Sequence, residues 1–240
     1  MKKVLPLLMI FGLIISESNA QFGNVLNKVK STVLGEEDDG DIGLGLKEAL
    51  QIGVDDAVAS LAKENGYFDS PYKILIPEDA QKVVSTVSKV PGFQNVERDL
   101  ISKMNEAAEI AVKKAGPIFL ASIKQMTFED AMNILMGEQD AATRYLEKTS
   151  RDQLYDEFMP VIQAALDEVN AREYWTGAVN AYNKIPFQKK LNPALDDHVN
   201  TEALNGVFGL VEEKEAGIRS DANLRTSPLL EKVFAKQDAN

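Results

Sequence analysis

Cysteine is absent from all 240 residues, and histidine and tryptophan occur once each, at His198 and Trp175. The first absence excludes a disulfide framework and thiol chemistry, so stability has to come from packing. One histidine and no cysteine leave zinc, copper and haem sites of the usual kinds short of ligands. A ferritin-like di-iron centre needs two Glu-x-x-His pairs, and three residues before His198 stands Leu195. No cofactor is therefore expected. Positive charge is also scarce. The 26 Lys and Arg face 37 Asp and Glu, for a formal net charge of −11. Phosphate backbones and anionic headgroups repel such a chain, which argues against a general nucleic-acid or membrane-surface role. No segment alternates apolar and polar residues between turn signals in the way a strand requires.

What is present begins with an export signal. Lys2 and Lys3 precede an apolar run from Val4 to Ile15, and Ser18-Asn19-Ala20 offers small residues at the positions a signal peptidase reads. Twelve helical residues reach only about 18 Å, short of a hydrocarbon core of roughly 30 Å, so a cleaved signal is expected rather than a membrane anchor. Gln21 is then the mature N-terminus. Removing residues 1–20 takes away two Lys and one Glu, which moves the net charge from −11 to −12. The expectation is an exported protein, periplasmic or secreted, with no transmembrane segment once the signal is cut.

Three segments follow from the composition: the signal at 1–20, a short amphipathic stretch and tether at 21–45, and a helical domain at 46–236. Phe22, Val25, Leu26, Val29 and Val33 recur at helical spacing. Gly35 to Gly45 holds four glycines and five acids and reads as a solvated tether. As a calcium loop it fails, because aligning Gly40 with the EF-hand glycine puts Gly35 and Leu46 where Asp and Glu must ligate.

From Leu46 onward the spacing is helical. Leu46, Leu50, Val54, Ala57, Val58 and Leu61 form one stripe, and Asn65-Gly66 supplies a stop. A connection with Tyr67, Phe68, Pro71 and Tyr72 leads to Pro77-Glu78-Asp79, a helix start with proline first and acids at the positive end. Pro91-Gly92 closes that helix, and Asn95 caps the next. Gly116-Pro117 must break or kink it before Ile118–Met126 resumes. Thr127-Phe128-Glu129-Asp130 is a further start, Gly137 an end, and Asp140 opens Ala141–Lys148. Ser150-Arg151-Asp152-Gln153 reads as a capping box for another helix, carrying Leu154, Phe158, Ile162 and Leu166 with Pro160 inside. Trp175, Val179 and Tyr182 extend or restart the pattern. Asn192-Pro193 and Ser227-Pro228 begin two more helices, the first ending near Gly217. The fold class is all-α: a single-domain multi-helix array of about eight to ten helices, judged from the caps.

Catalytic signatures are thin. Ser-x-x-Lys occurs at Ser60–Lys63 and Ser70–Lys73, against about one match expected by chance, and the partner motifs Ser-Asp-Asn and Lys-Thr-Gly are missing. Gly-x-Ser-x-Gly and the Walker phosphate loop are absent, and the linker glycines follow no strand. Acid clusters such as Glu212, Glu213 and Glu215 beside Arg219 are what solvated helix faces of an acidic chain carry. Met126, Met132 and Met136, near Phe128, suit either a pliable apolar pocket or core filling. Tyr174, Trp175, Tyr182 and Phe187 invite the same two readings.

Several short motifs in fixed order resemble the domain-of-unknown-function 4197 family of exported bacterial proteins. They are Met126-Thr127-Phe128-x-Asp130-Ala131, Ala141-Ala142-Thr143-x-Tyr145-Leu146, Tyr182-Asn183, the segment around His198, Ile218-Arg219, and Arg225-Thr226-x-x-Leu229-Leu230-x-x-Val233-Phe234. The likeness spans about Leu44 to Phe234. It departs at Asp221-Ala222, where the family pattern has Asp-Pro, and at Pro228, where an acid is common. The resemblance implies a helical domain behind a signal sequence and no particular activity.

Three functional expectations follow. The first is a non-enzymatic binding or interaction module of the cell envelope, contacting a partner or small ligand through Trp175, Tyr182, Asn183, His198, Arg219 or Arg225. The second is a carrier of an apolar small ligand between helices, using the methionine and aromatic region. The third is an enzyme whose polar site assembles His198, Arg219, Arg225 and nearby acids.

Overall fold

The computed structural model describes residues 37–89, 94–168, 170–184, 186–187, 189–225 and 227–238. The signal sequence, the Phe22–Val33 stripe and the Pro91-Gly92 stop lie outside the described residues. The chain divides at Asp38, and the compact unit is Asp39–Asn240. The described residues contain no strand. In chain order they form α1 (Glu37–Leu61), α2 (Gln81–Val87), α3 (Val96–Ala111), α4 (Ala115–Gln125), α5 (Phe128–Leu135), α6 (Ala141–Asp167), α7 (Ala171–Asn183), α8 (Leu195–Ser220) and α9 (Pro228–Asp238). Single 3₁₀ turns sit at Glu78–Ala80, Val112–Lys114 and Ala222–Leu224. The all-α, multi-helix architecture implied by the caps is the one the chain adopts.

Helix α6 is the axis of the array, packing against α3, α4, α5, α7 and α8. Its sequence explains how one helix touches so many. Leu146, Ser150, Leu154, Phe158, Ile162 and Leu166 are all buried and stand four apart. At 100° per residue each such step overshoots a full turn by about 40°, so the stripe winds roughly 200° around the helix over twenty residues. Its upper and lower halves therefore face different neighbours. That winding corrects the expected break at Ser150, because α6 runs unbroken. The Ser150 hydroxyl donates to the Leu146 carbonyl at 2.5 Å and Thr149 to Tyr145 at 2.8 Å. A serine can bond back along its own helix as readily as it caps a new one. Burial of the continuous stripe decides between the two.

Most starts fall where the caps put them. Thr127 and Asp130 form a reciprocal box: the Asp130 N–H donates to Thr127 Oγ1 at 3.1 Å, and the Thr127 N–H to Asp130 Oδ2 at 2.9 Å. Ser227 accepts from the Leu230 N–H at 3.2 Å. Pro117 lies at the third residue of α4; lacking an N–H, it cannot accept the register of α3, and the 3₁₀ turn at Val112–Lys114 absorbs the break. Helix α8 overruns the expected end near Gly217 and stops at Ser220.

The tether expected over 35–45 is also corrected, since α1 begins at Glu37. Acids in a first turn complement the positive end of the helix dipole. Among the glycines of α1, Gly45 serves close packing. A Cβ on Gly45 would stand 2.5 Å from Val233 Cγ2 and 3.0 Å from Leu229 Cγ, so only a residue without a side chain lets α1 cross α9 there. The expected connection after α1 is irregular as anticipated, yet Tyr67, Ile74 and Ile76 within it are buried. Tyr67 reaches the Ala203 carbonyl at 2.8 Å, and its ring lies against Gly206, where a Cβ would meet it at 2.7 Å. Asn105 pairs with both backbone groups of Ile74 at 2.9 Å each. One turn further along α3, Glu109 accepts the N–H groups of Asn65 and Tyr67. Burial raises the Glu109 carboxyl above its ordinary range, and those N–H donors pull it partly back.

Two substitutions test this packing. Gly45→Val should lower unfolding stability by about 1–3 kcal/mol through overpacking against α9. Gly177→Ala in α7, where an added Cβ meets nothing within 4 Å, should raise it by about 0.5–1 kcal/mol. Urea melts of the two variants should therefore move in opposite directions.

Candidate functional site

Glu215 and Arg219 stand four apart on α8, hence on one face, and both are buried. The Glu215 carboxylate sits at the start of α6. Its Oε1 accepts the Ala142 N–H at 2.9 Å, and its Oε2 accepts the Thr143 N–H and hydroxyl at 2.8 Å each. These N–H groups have no partner within their own helix. Arg219 does the complementary work at the end of α5, donating from Nη2 to the Ile134 carbonyl at 2.8 Å and from Nη1 to Leu135 at 3.3 Å. The two side chains also pair, with Nε and Nη2 at 3.0 and 2.8 Å from Glu215 Oε1. Negative charge thus meets a helix N-terminus and positive charge a helix C-terminus, each at the pole that favours it.

Arg225 repeats the device one element later. Its Nε and Nη2 donate to the carbonyls of Ile218 and Arg219 at 3.1 and 3.0 Å, closing the end of α8. Both guanidinium groups approach the ring of buried Phe234 on α9, Arg225 at 5.3 Å and Arg219 at 6.0 Å from its centroid. A pocket lined by Leu50, Val211, Ile218, Phe234 and the ion pair adjoins this junction, with a volume of about 20 Å³. That is room for roughly one water molecule.

A second polar group lies where α6, α7 and the start of α8 meet. The Tyr155 hydroxyl donates to Asp197 Oδ1 at 2.6 Å, and the bond pushes the Tyr155 pKa up to about 12, because a phenolate would face a carboxylate. Asp196 accepts from Gln163 at 2.7 Å and from Arg172 at 3.3 Å. Arg172 also pairs with Asp167 and holds that carboxyl below its usual range. His198 Nε2 donates to the Leu75 carbonyl at 2.8 Å, which joins α8 to the connection before α2.

The expected site residues therefore separate. Arg219 and Arg225 share the junction above. His198 stands 21 residues before Arg219 on the same straight element, about 30 Å away at 1.5 Å per residue. An enzyme site uniting His198 with Arg219 and Arg225 is not formed. Asn183 lies elsewhere again and clamps a loop, its Nδ2 donating to the Leu191 carbonyl at 2.9 Å and its Oδ1 accepting the Leu191 N–H at 2.8 Å. Tyr182 packs on the core. Trp175 is buried, and its Nε1 has no hydrogen-bond partner among the described residues. The methionines do not gather around a cavity: Met126 is buried, while Met136 and Phe128 are 59 % and 45 % exposed. Asn105, Glu109 and Thr143 were not nominated from sequence, and only the four-residue spacing of Glu215 and Arg219 signalled their pairing.

Breaking the junction should be costly. Arg219→Met leaves a buried carboxylate without its cation and should destabilise the chain by about 3–5 kcal/mol. Phe234→Ala should cost a similar 3–5 kcal/mol, and Arg225→Gln less, about 1–3 kcal/mol. Denaturant melts rank the three. The Tyr155 bond has its own signature. The folded chain keeps that proton to about pH 12, against 10 for an ordinary phenol. Its contribution is full below pH 10 and lost as pH rises towards 12. Tyr155→Phe should therefore be about 1–3 kcal/mol less stable than wild type at neutral pH, with the gap closing across that alkaline window.

No curated protein and no solved structure matches this chain. One family model does, described as Protein of unknown function (DUF4197), over residues 36–235. That span takes in both helix junctions and the Asn183 clamp. The chain belongs to the DUF4197 family.

Proposed function

We propose that this protein is an exported, non-enzymatic module of the cell envelope that acts through its outer surface on a partner. One observation carries the reading: the polar side chains of its recognisable motifs are spent on the chain's own backbone. Thr143, Glu215, Arg219 and Arg225 satisfy helix ends, Asn183 closes a loop, and Thr127 with Asp130 starts α5. Groups so engaged hold the fold together and do not form a polar set gathered around a substrate-sized cavity. Meanwhile several large apolar side chains face outward, Phe187, Met136, Leu75 and Leu224 among them. The apolar-carrier alternative has less support, because the pocket beside Phe234 accommodates about one water molecule.

The envelope location rests on the signal layout of residues 1–20. No helix among the described residues is long and apolar enough to cross a membrane. Two measurements test the reading together. N-terminal sequencing of the natural protein should begin within a residue or two of Gln21, in the exported fraction. Native mass spectrometry of that material should show the bare chain or its complex with a macromolecule. A stoichiometric small molecule retained through purification would instead point to a carrier or an enzyme.

A further inference from the structure

The loop between α7 and α8 is closed at its neck and open at its tip. Asn183 holds both backbone groups of Leu191, so the chain is clamped between these two residues. At the tip Phe187 has φ of 64°, the left-handed region that a bulky aromatic occupies only under constraint. Its side chain is wholly exposed, at 106 % of the reference area. An aromatic held in water on such a backbone does nothing for the fold, and outliers of this kind mark functional tips. The charge is unusual too. Residues 184–190 carry Lys184, Lys189 and Lys190 with no acid, and no other seven-residue window of this acidic chain holds three basic residues.

We propose that this loop docks the protein on an anionic lipid surface, with Phe187 entering the headgroup–acyl boundary and Lys184 and Lys190 lying over lipid phosphates. An exposed aromatic flanked in sequence by exposed lysines has the chemistry of interfacial anchoring. A protein interface is the weaker fit, since a seven-residue tip falls short of the roughly 800 Å² that a stable complex buries on each partner. A bilayer accepts a single side chain. The net negative charge opposes adsorption of the molecule as a whole, but ionic screening over about 8 Å leaves the contact to the charges nearest it. The proposal rests on the surface-acting reading above and identifies what that surface meets.

Cosedimentation of the purified mature chain with vesicles tests it, using phosphatidylcholine with and without phosphatidylglycerol. Wild type should bind only the anionic vesicles, and less as salt rises. Phe187→Ala should weaken partitioning about tenfold, and combined Lys184→Gln and Lys190→Gln about thirtyfold. These positions are on the surface, so the variants should melt like wild type. In a Phe187→Trp chain, tryptophan emission should shift to the blue on anionic vesicles. Absence of wild-type binding, equal binding to both vesicles, or unchanged partitioning of either variant would each overturn the proposal. Capture of an acidic protein with no vesicle binding would likewise overturn it and reassign the loop. Vesicle binding is read on purified chain, so its outcome is independent of export and of what native mass spectrometry retains.

Discussion

The buried pair of Glu215 and Arg219 is the constraint on which the C-terminal half of this fold depends. Desolvating two charges costs several kcal/mol each, and their mutual attraction alone does not reliably repay it. Here the return comes from helix ends. The carboxylate takes N–H groups from the first turn of α6, and the guanidinium takes carbonyls from the last turn of α5. Two helix termini that would otherwise be buried with unpaired groups are satisfied by one pair of side chains. The ends of α5 and α6 at Ile134, Leu135, Ala142 and Thr143 can then be buried, while the corner residues 136–139 between them stay exposed.

The same economy recurs around the molecule. Arg225 closes α8, and Asn105 with Glu109 secures the irregular chain between α1 and α2. A protein without cysteine has to hold its connections by packing and polar clamps, and these clamps reach from 6 residues along the chain, at Arg225, to 44, at Glu109. Around them the winding stripe of α6 lets one helix serve as core for five neighbours.

This arrangement bears directly on function. Several of the motif residues, Thr143, Asn183, Arg219 and Arg225 among them, bond the chain's own backbone. What is left over is on the outside, and the Phe187 loop stands apart because its charge and its backbone both run against the rest of the chain.

Helix content, most helix starts and the family likeness were legible in the sequence, because capping and spacing are local effects over three or four residues. Thr127-x-x-Asp130 and Ser227-Pro228 were readable for that reason. The local rules misled where burial outweighed them. Ser150 looks like a cap but lies on the continuous stripe of α6, and the glycines and acids before Leu46 look like a tether but form the first turns of α1, with Gly45 crossing α9. The candidate site was legible only as residue types. That Arg219 would bind the end of α5 depends on contacts between residues 84 and 85 apart in sequence. The sequence by itself determined the helices and the acidic, disulfide-free character of the chain, since these follow from short-range spacing and composition. Only the tertiary structure decided which charges were buried as clamps and which aromatic was left in water, because burial is set by which helices come to pack together.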